Sequence, residues 1–309
     1  MTHQHEVGLR ELRRPTRHQL KSREAIIAWC FVAPAVLGTL LFNVLPIVPT
    51  FYLSLTDWGG GFREVQFLGL RNYEDLFADR YFIESVVRTL IYVAFTVVLA
   101  MASGLLLALM VRGNSRTTLA LRAIYFLPYI TSQVAIGIVW KWMFDDANGP
   151  VNKVLALVGI DGPNWLLEPT SAFSLVVLVT AWFFSGYNMV LFIAGLQRIP
   201  TDLLDAASID GAGAWVKFRY IILPLLSPTT FFVLVVNIIA IFEIFGLVYT
   251  LTDGGPGSAT EIYMYRLYRE AFEFSNLGYA SAMSFLLILF LIAASALQFR
   301  LSRRWVHYS

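Results

Sequence analysis

The chain has 309 residues, of which 57% are hydrophobic and only 14% charged, with mean hydropathy +0.64. Soluble domains carry nearer a quarter charged residues, so this composition excludes a water-soluble globular protein and points to an integral membrane protein. The net charge of +2 says little until it is divided among the loops, and the single cysteine, Cys30 within an apolar run, excludes an internal disulfide framework.

Crossing about 30 Å of hydrocarbon takes about 20 apolar residues in a helix. In chain order six runs meet this: residues 26–53, 89–110, 119–140, 172–196, 229–250 and 280–299. They exceed strand length and lack a two-residue alternation, so the expected fold class is an all-α membrane protein of six transmembrane helices rather than a barrel. Residues 1–24 read as a basic tail and 25–309 as the six-helix domain. No small-residue cleavage site follows the first run, so it reads as an uncleaved anchor.

An even count places both termini on one side. That side receives Arg10, Arg13, Arg14, Arg17, Lys21 and Arg23 from the tail, then Arg112, Arg116, Arg122, Arg198, Lys217, Arg219, Arg300, Arg303 and Arg304. The other receives fewer: Arg63, Arg71, Arg80, Arg88, Lys141, Lys153, Arg266 and Arg269. The positive-inside rule therefore makes both termini, and the segment between spans four and five, cytoplasmic. The basic tail reads as an orientation signal at the anionic leaflet, not as a nucleic-acid site.

The segment between spans four and five, about 200–228, is polar between two apolar runs. Thr201 or Asp202 is expected to cap a short helix reaching Ile209. Gly211 is expected to end it in a left-handed conformation, and a second helix runs from Ala214 to about Ile222, cut by Pro224. Small residues on the first helix (Ala206, Ala207, Gly211, Ala212) allow close approach of another protein's backbone, which makes the segment a docking knob.

Polar groups inside spans are expensive and invite a functional reading. Glu243 is the only acid within a predicted span; Asn237 lies in the same span, and span four offers Trp182, Ser185, Tyr187 and Asn188. Aromatic faces with amide and carboxylate groups suit sugars and polyols, while Ser185 and Asn188 can equally bridge helices. No G-x-x-x-x-G-K-[ST] occurs, and the four histidines (His3, His5, His18, His307) stay in the tails, which disfavours an ATP-binding or membrane-enzyme reading.

Asp205-Ala-Ala-Ser-Ile-Asp-Gly211 resembles the cytoplasmic coupling loop of the permease subunits of binding-protein-dependent ABC importers, of the maltose type. Asp205 stands where that family usually has Glu, one methylene longer. Further matches follow in order: Phe67–Phe77 with the first outer loop, Trp140-Lys-Trp-Met-Phe144 with Gly149, Asn152 and Trp165, then Asp253-Gly-Gly-Pro256 with Thr260, then Gly278-Tyr-Ala-Ser-Ala282. The resemblance implies one permease of an ATP-driven importer for a sugar, polyol or glycerol-phosphate-type solute, in a prokaryotic inner membrane. It implies a second permease, two ATP-binding subunits that hold ATP and Mg, and an extracytoplasmic solute-binding protein, with no catalytic site, metal or cofactor in this chain. ATPase coupling would fall on Asp205, Ala206, Ala207, Asp210, Gly211, Ala212, Phe218, Leu223 and Pro224, and the solute path on Tyr187, Asn188, Asn237 and Glu243. Two other classes stand beside it: a secondary transporter using Glu243 for proton coupling, and a membrane assembly factor.

Overall fold

The computed structural model describes residues 17–61, 64–113, 115–303 and 305–306, with side chains from Ala28 onward. Arg10, Arg13, Arg14, Arg63, Arg304, His3, His5 and His307 of the sequence reading lie outside the described residues, as do the side chains of Arg17, His18, Lys21 and Arg23. The chain divides into two units, Met1–Tyr52 and Leu53–Ser309.

The first unit holds α1 (Arg17–Thr39), a wide π turn (Leu40–Val44) and most of α2 (Ile47–Ser54). The turn is closed by Leu45 N–H donating to the Leu40 carbonyl at 2.8 Å, and Pro46, which has no N–H, follows it. Trp29, Phe31 and Phe42 are exposed on this apolar element, the pattern of a helix solvated by lipid.

The second unit is also helical, with one isolated antiparallel bridge pairing Thr56 and Phe67 among the described residues. Its helices are α3 (Arg71–Ala78), α4 (Arg80–Met110), α5 (Arg116–Ile130), α6 (Gln133–Met143), α7 (Pro150–Leu157) and α8 (Pro169–Leu196). There follow α9 (Thr201–Ile209), α10 (Ala214–Lys217), α11 (Leu223–Leu225), α12 (Ser227–Phe242), α13 (Gly246–Leu251), α14 (Tyr263–Tyr268) and α15 (Leu277–Ser302).

Among the described residues four helices are long and apolar enough to cross a membrane: Ala28–Ser54, α4, α8 and α15. Two further runs qualify only as bent pairs, α5 with α6 at 99° and Ala214–Leu225 with α12 at 65°. Span three is thus not the straight rod the sequence suggested, and span five, expected over 229–250, is interrupted at 243–245 between α12 and α13. The second span also starts earlier than expected, at Arg80 rather than residue 89. Asp79 caps it by accepting from Tyr81 N–H at 2.8 Å, and Glu84 pairs with Arg80 at 2.7 Å and Arg88 at 2.8 Å. The charges that hydropathy counts against a span are here paired along one helix face.

α8 is the axis of the core. Tyr92 of α4 donates to Thr180 of α8 at 2.8 Å, and both side chains are fully buried. Against α5, Gly186 lies so close that a Cβ would overlap the Tyr125 carbonyl. Small residues that let backbones meet replace the hydrophobic effect as the organising contact between helices in lipid.

Candidate functional site

The segment between α8 and α12 forms a protruding two-helix knob. α9 begins after Pro200 without a side-chain cap, so Thr201 and Asp202 stand inside the first turn rather than at the cap position. Asp202 there still favours the positive helix end. The far end closes as a complete Schellman motif: Gly211 N–H donates to the Ser208 carbonyl at 3.1 Å and Ala212 N–H to the Ala207 carbonyl at 2.8 Å. The motif needs a left-handed residue at the turn, and Gly211 supplies it with φ +81°.

Lys217 of α10 donates back to the Ser208 hydroxyl, which ties the two helices together. Beyond α10 the chain takes a π turn over Phe218–Ile222, with Leu223 N–H bonding to the Phe218 carbonyl. The expectation that Pro224 cuts the second helix is therefore corrected. Pro224 sits in the first turn after the π turn, where its missing N–H is not needed, and the helix continues to Leu225 before bending.

Asp205, Ala206, Asp210 and Gly211 are exposed, while Ala207, Ala212, Phe218, Leu223 and Pro224 are half-buried. Ile209, Trp215 and Tyr220 add exposed apolar surface, with Ile209 88% exposed. Sequence reading did not single out these three as exposed surface of the segment; the signal was large apolar side chains in an otherwise polar loop.

The intramembrane polar residues separate into two groups. Asn188 and Asn237, read from sequence as solute-path residues, are both fully buried. Each amide donates to the other's carbonyl oxygen, at 3.1 and 2.7 Å, and Asn237 also donates to the Val233 carbonyl at 2.8 Å. In this conformation the pair clamps α8 to α12, the helix-bridging role that the sequence also offered for Asn188. Ser185 bonds back to the Trp182 carbonyl at 2.7 Å. We expect Asn237→Leu to lower unfolding stability by about 1–3 kcal/mol, because it strands the buried Asn188 amide. Adding Asn188→Leu should recover part of that loss in thermal unfolding in detergent; a double variant as unstable as the sum of the singles contradicts the clamp.

Tyr187 and Glu243 behave differently. Tyr187 is half-buried and stacks on Tyr129 with ring centroids 4.5 Å apart, a partner the sequence did not reveal. Glu243 is not buried, as its position within an apolar run had suggested: it caps the end of α12 and is exposed, before a short break leads into α13.

The ends of the spans away from the knob explain the remaining motifs. Gly69 turns at φ +62° into α3, whose Asn72 is buried and donates to the carbonyls of Ser54 and Thr56, both at 2.8 Å. These two bonds tie the short helix to the chain that follows the first span. Trp140 stacks on Phe144, Phe144 meets Trp165 edge-on at 5.0 Å, and Trp165 Nε1 donates to Asn152 at 2.7 Å. Thr260 bonds the Gly255 carbonyl at 2.8 Å and the Thr252 hydroxyl at 2.7 Å, closing the Gly-Gly-Pro loop.

Beside that loop lies an ion network the sequence did not predict. Arg266 pairs with Glu270 at 2.6 Å and with Glu261 and Asp79, each at 3.4 Å, and lies over the Tyr81 ring at 5.4 Å. Tyr265 donates to the carbonyl and carboxylate of Asp253, at 2.8 and 3.1 Å. Burial first, and then that carboxylate, push its hydroxyl well above the ordinary range, so it stays protonated and keeps donating.

Residues 100–307 match the family described as binding-protein-dependent transport system inner membrane component. The chain belongs to this family. The permease is 37% identical to the sn-glycerol-3-phosphate transport system permease protein UgpA of Agrobacterium fabrum, over 92% of this chain and 97% of that one. It is 34% identical to the probable ABC transporter permease protein YesP of Bacillus subtilis, over 93% of each. Its fold resembles a bacterial ABC transporter involved in the import of the acidic polysaccharide alginate, with TM-score 0.80 and 22% identity over 93% of this chain and 99% of that one. The permease is thus an inner-membrane component of a binding-protein-dependent importer, built on a known permease fold.

Proposed function

We propose that the permease forms half of the translocation path of an ATP-driven importer for a sugar, polyol or glycerol-phosphate-type solute, and hydrolyses no ATP itself. The observation that carries this reading is the exposed knob, Thr201–Leu225, closed by its Schellman turn between the two core helices α8 and α12. A surface that is apolar at Ile209, Trp215 and Tyr220 and acidic at Asp205 and Asp210 suits a cleft in an ATP-binding subunit. A count of six spans, each bent pair taken as one, and the distribution of Arg and Lys both support a cytoplasmic knob and cytoplasmic termini. A second related permease, two ATP-binding subunits that hold ATP and Mg, and an extracytoplasmic solute-binding protein complete the assembly. Tyr187 and Glu243 line the path. ATP-driven closure of the partners pushes the knob, and the helices rock between two arrangements.

The relatives named as sn-glycerol-3-phosphate permeases support the solute class. A proton-coupled transporter built on Glu243 finds no support in the family.

Asp205 projects from the middle of α9 and offers a carboxylate to a basic group across the interface, a charge-assisted contact. We expect Asp205→Lys to weaken co-purification of the ATP-binding subunit at least about tenfold, the scale of a lost contact of this kind with a like charge added. Asp205→Glu should retain it. Equal retention by both variants rules out an ion pair at this position.

A further inference from the structure

Between α6 and α8 the chain builds an eight-residue helix whose apolar side is left uncovered. α7 starts on Pro150, where a missing N–H costs nothing. It ends in a second Schellman motif: Gly159 N–H donates to the Ala156 carbonyl and Ile160 N–H to the Leu155 carbonyl, each at 3.0 Å, with Gly159 at φ +77°.

Its protein side is fixed. Asn152 accepts from Trp165, and its amide donates to the Asp146 carbonyl at 3.4 Å. A Cβ on Gly162 would overlap Asn152 Oδ1, and one on Gly149 would overlap the Asp145 carbonyl. Contacts this close set how the helix is turned about its own axis.

The other side carries Val154, Leu157 and Val158 within an arc of about 100°. Leu157 is 86% and Val158 70% exposed, and Val154 is exposed as well. An apolar cleft of about 260 Å³, lined by Met143, Pro150, Val151, Val154 and Leu155, joins this surface to the end of α6, where Trp142 is exposed. Eight residues are too few to hold a helix in water by themselves, so the open face needs a cover.

Charge and position indicate which. Lys153 stands one turn before Leu157 and Lys141 precedes Trp142; both are exposed, and among the described residues neither has an ion pair or a side-chain hydrogen bond. Lysine buries its stem against apolar groups and lifts its ammonium to phosphate, and an indole suits the same boundary. An apolar helix face rimmed in this way matches the place where acyl chains meet headgroups. The helix also connects two membrane-crossing elements, the α5–α6 pair and α8, so its segment runs along the bilayer edge.

We infer that α7 is an interfacial anchor: its Val154–Leu157–Val158 face, with Trp142, lies among the lipid headgroups on the side of the bilayer opposite the knob, and Lys141 and Lys153 reach lipid phosphate. Gly149 N–H donates to the Asp145 carbonyl at 2.9 Å, just past the end of α6. The anchor therefore also holds the end of the helix that turns 99° from α5.

Spin labels on the complete importer, in nanodiscs of phosphatidylcholine and phosphatidylglycerol, test it. Cys30 is the only cysteine in the sequence. Cys30→Ser, with partner subunits free of cysteine, gives the background for Leu157→Cys, Val158→Cys and, away from the apolar face, Ala156→Cys. Collision rates with oxygen, which concentrates in lipid, are compared with those of the water-soluble chelate NiEDDA. Labels at 157 and 158 should show an oxygen-to-chelate ratio at least about fivefold above that at 156. Val154→Cys stands in if a label at 158 disturbs the turn at Gly159. Exchanging both lysines for Gln should lower the ratio at 157, since each adds attraction to anionic lipid. An unchanged ratio in that double variant overturns the phosphate contacts. A label at 157 dominated by the chelate means that water covers the face, and one shielded from both reagents means that a partner protein does; either result overturns the anchor.

Discussion

Replacing Gly211 by proline should leave the permease inserted and cut ATP-driven uptake by about tenfold or more. Gly211 holds φ +81°, and the proline ring fixes φ near −65°. The substitution also deletes the N–H that reaches the Ser208 carbonyl, one of the two bonds closing α9. Even an ordinary side chain in the left-handed region costs about 1–2 kcal/mol, and each 1.36 kcal/mol is about tenfold in rate when it falls on the coupled step. Gly211→Ala should therefore retain intermediate uptake. Uptake in membrane vesicles and co-purification of the ATP-binding subunit are the readouts. If both are normal in the proline variant, the turn has no part in coupling.

The second large effect concerns stability. Arg266 has a side chain only 11% exposed and faces Glu270, Glu261 and Asp79, of which the first two are 5% and 4% exposed. Arg266→Met removes the cation and leaves carboxylates facing each other in a buried site. Breaking such a pair costs about 3–5 kcal/mol, far more than the pair itself contributes over an apolar replacement. Arg269, at 29% exposure, shares Glu261 but also reaches the surface Glu273, so Arg269→Met should cost much less. The check is thermal unfolding of both variants in one detergent. Equal midpoints for Arg266→Met and the unsubstituted protein would mean that the network does not hold this end together.

Much of the architecture was legible because a helix in lipid must be apolar for about 20 residues, which a hydropathy count detects directly. The same averaging hid the breaks in spans three and five. Thr131-Ser132-Gln133 and Glu243 dilute only slightly in a window of strongly apolar neighbours, and the interruptions show only in the structure, as the 99° angle between α5 and α6 and the gap between Phe242 and Gly246. The knob was readable down to its glycine, since a left-handed cap is a local requirement that Gly211 alone satisfies cheaply. Pro224 misled for an equally local reason: a π turn just before it had already shifted the hydrogen-bond register. Asn188 and Asn237 sit 49 positions apart, and no spacing rule joins residues on two helices into a reciprocal amide pair. Arg266 could be placed at a span end by charge counting, but its three carboxylate partners come from the cap of α4, the loop before α14 and the π turn after it.

The central claim is that ATP hydrolysed by partner subunits drives solute through this permease by way of the knob. Right-side-out vesicles containing the full assembly, supplied with the binding protein and labelled sn-glycerol 3-phosphate beside a panel of sugars and polyols, measure it directly. ATP is held constant and an uncoupler is added. The account predicts that uptake of at least one solute persists with the uncoupler, stops when ATP is depleted, and is lost in Gly211→Pro. Uptake that collapses with the uncoupler while ATP is constant, and that survives Gly211→Pro, would contradict it.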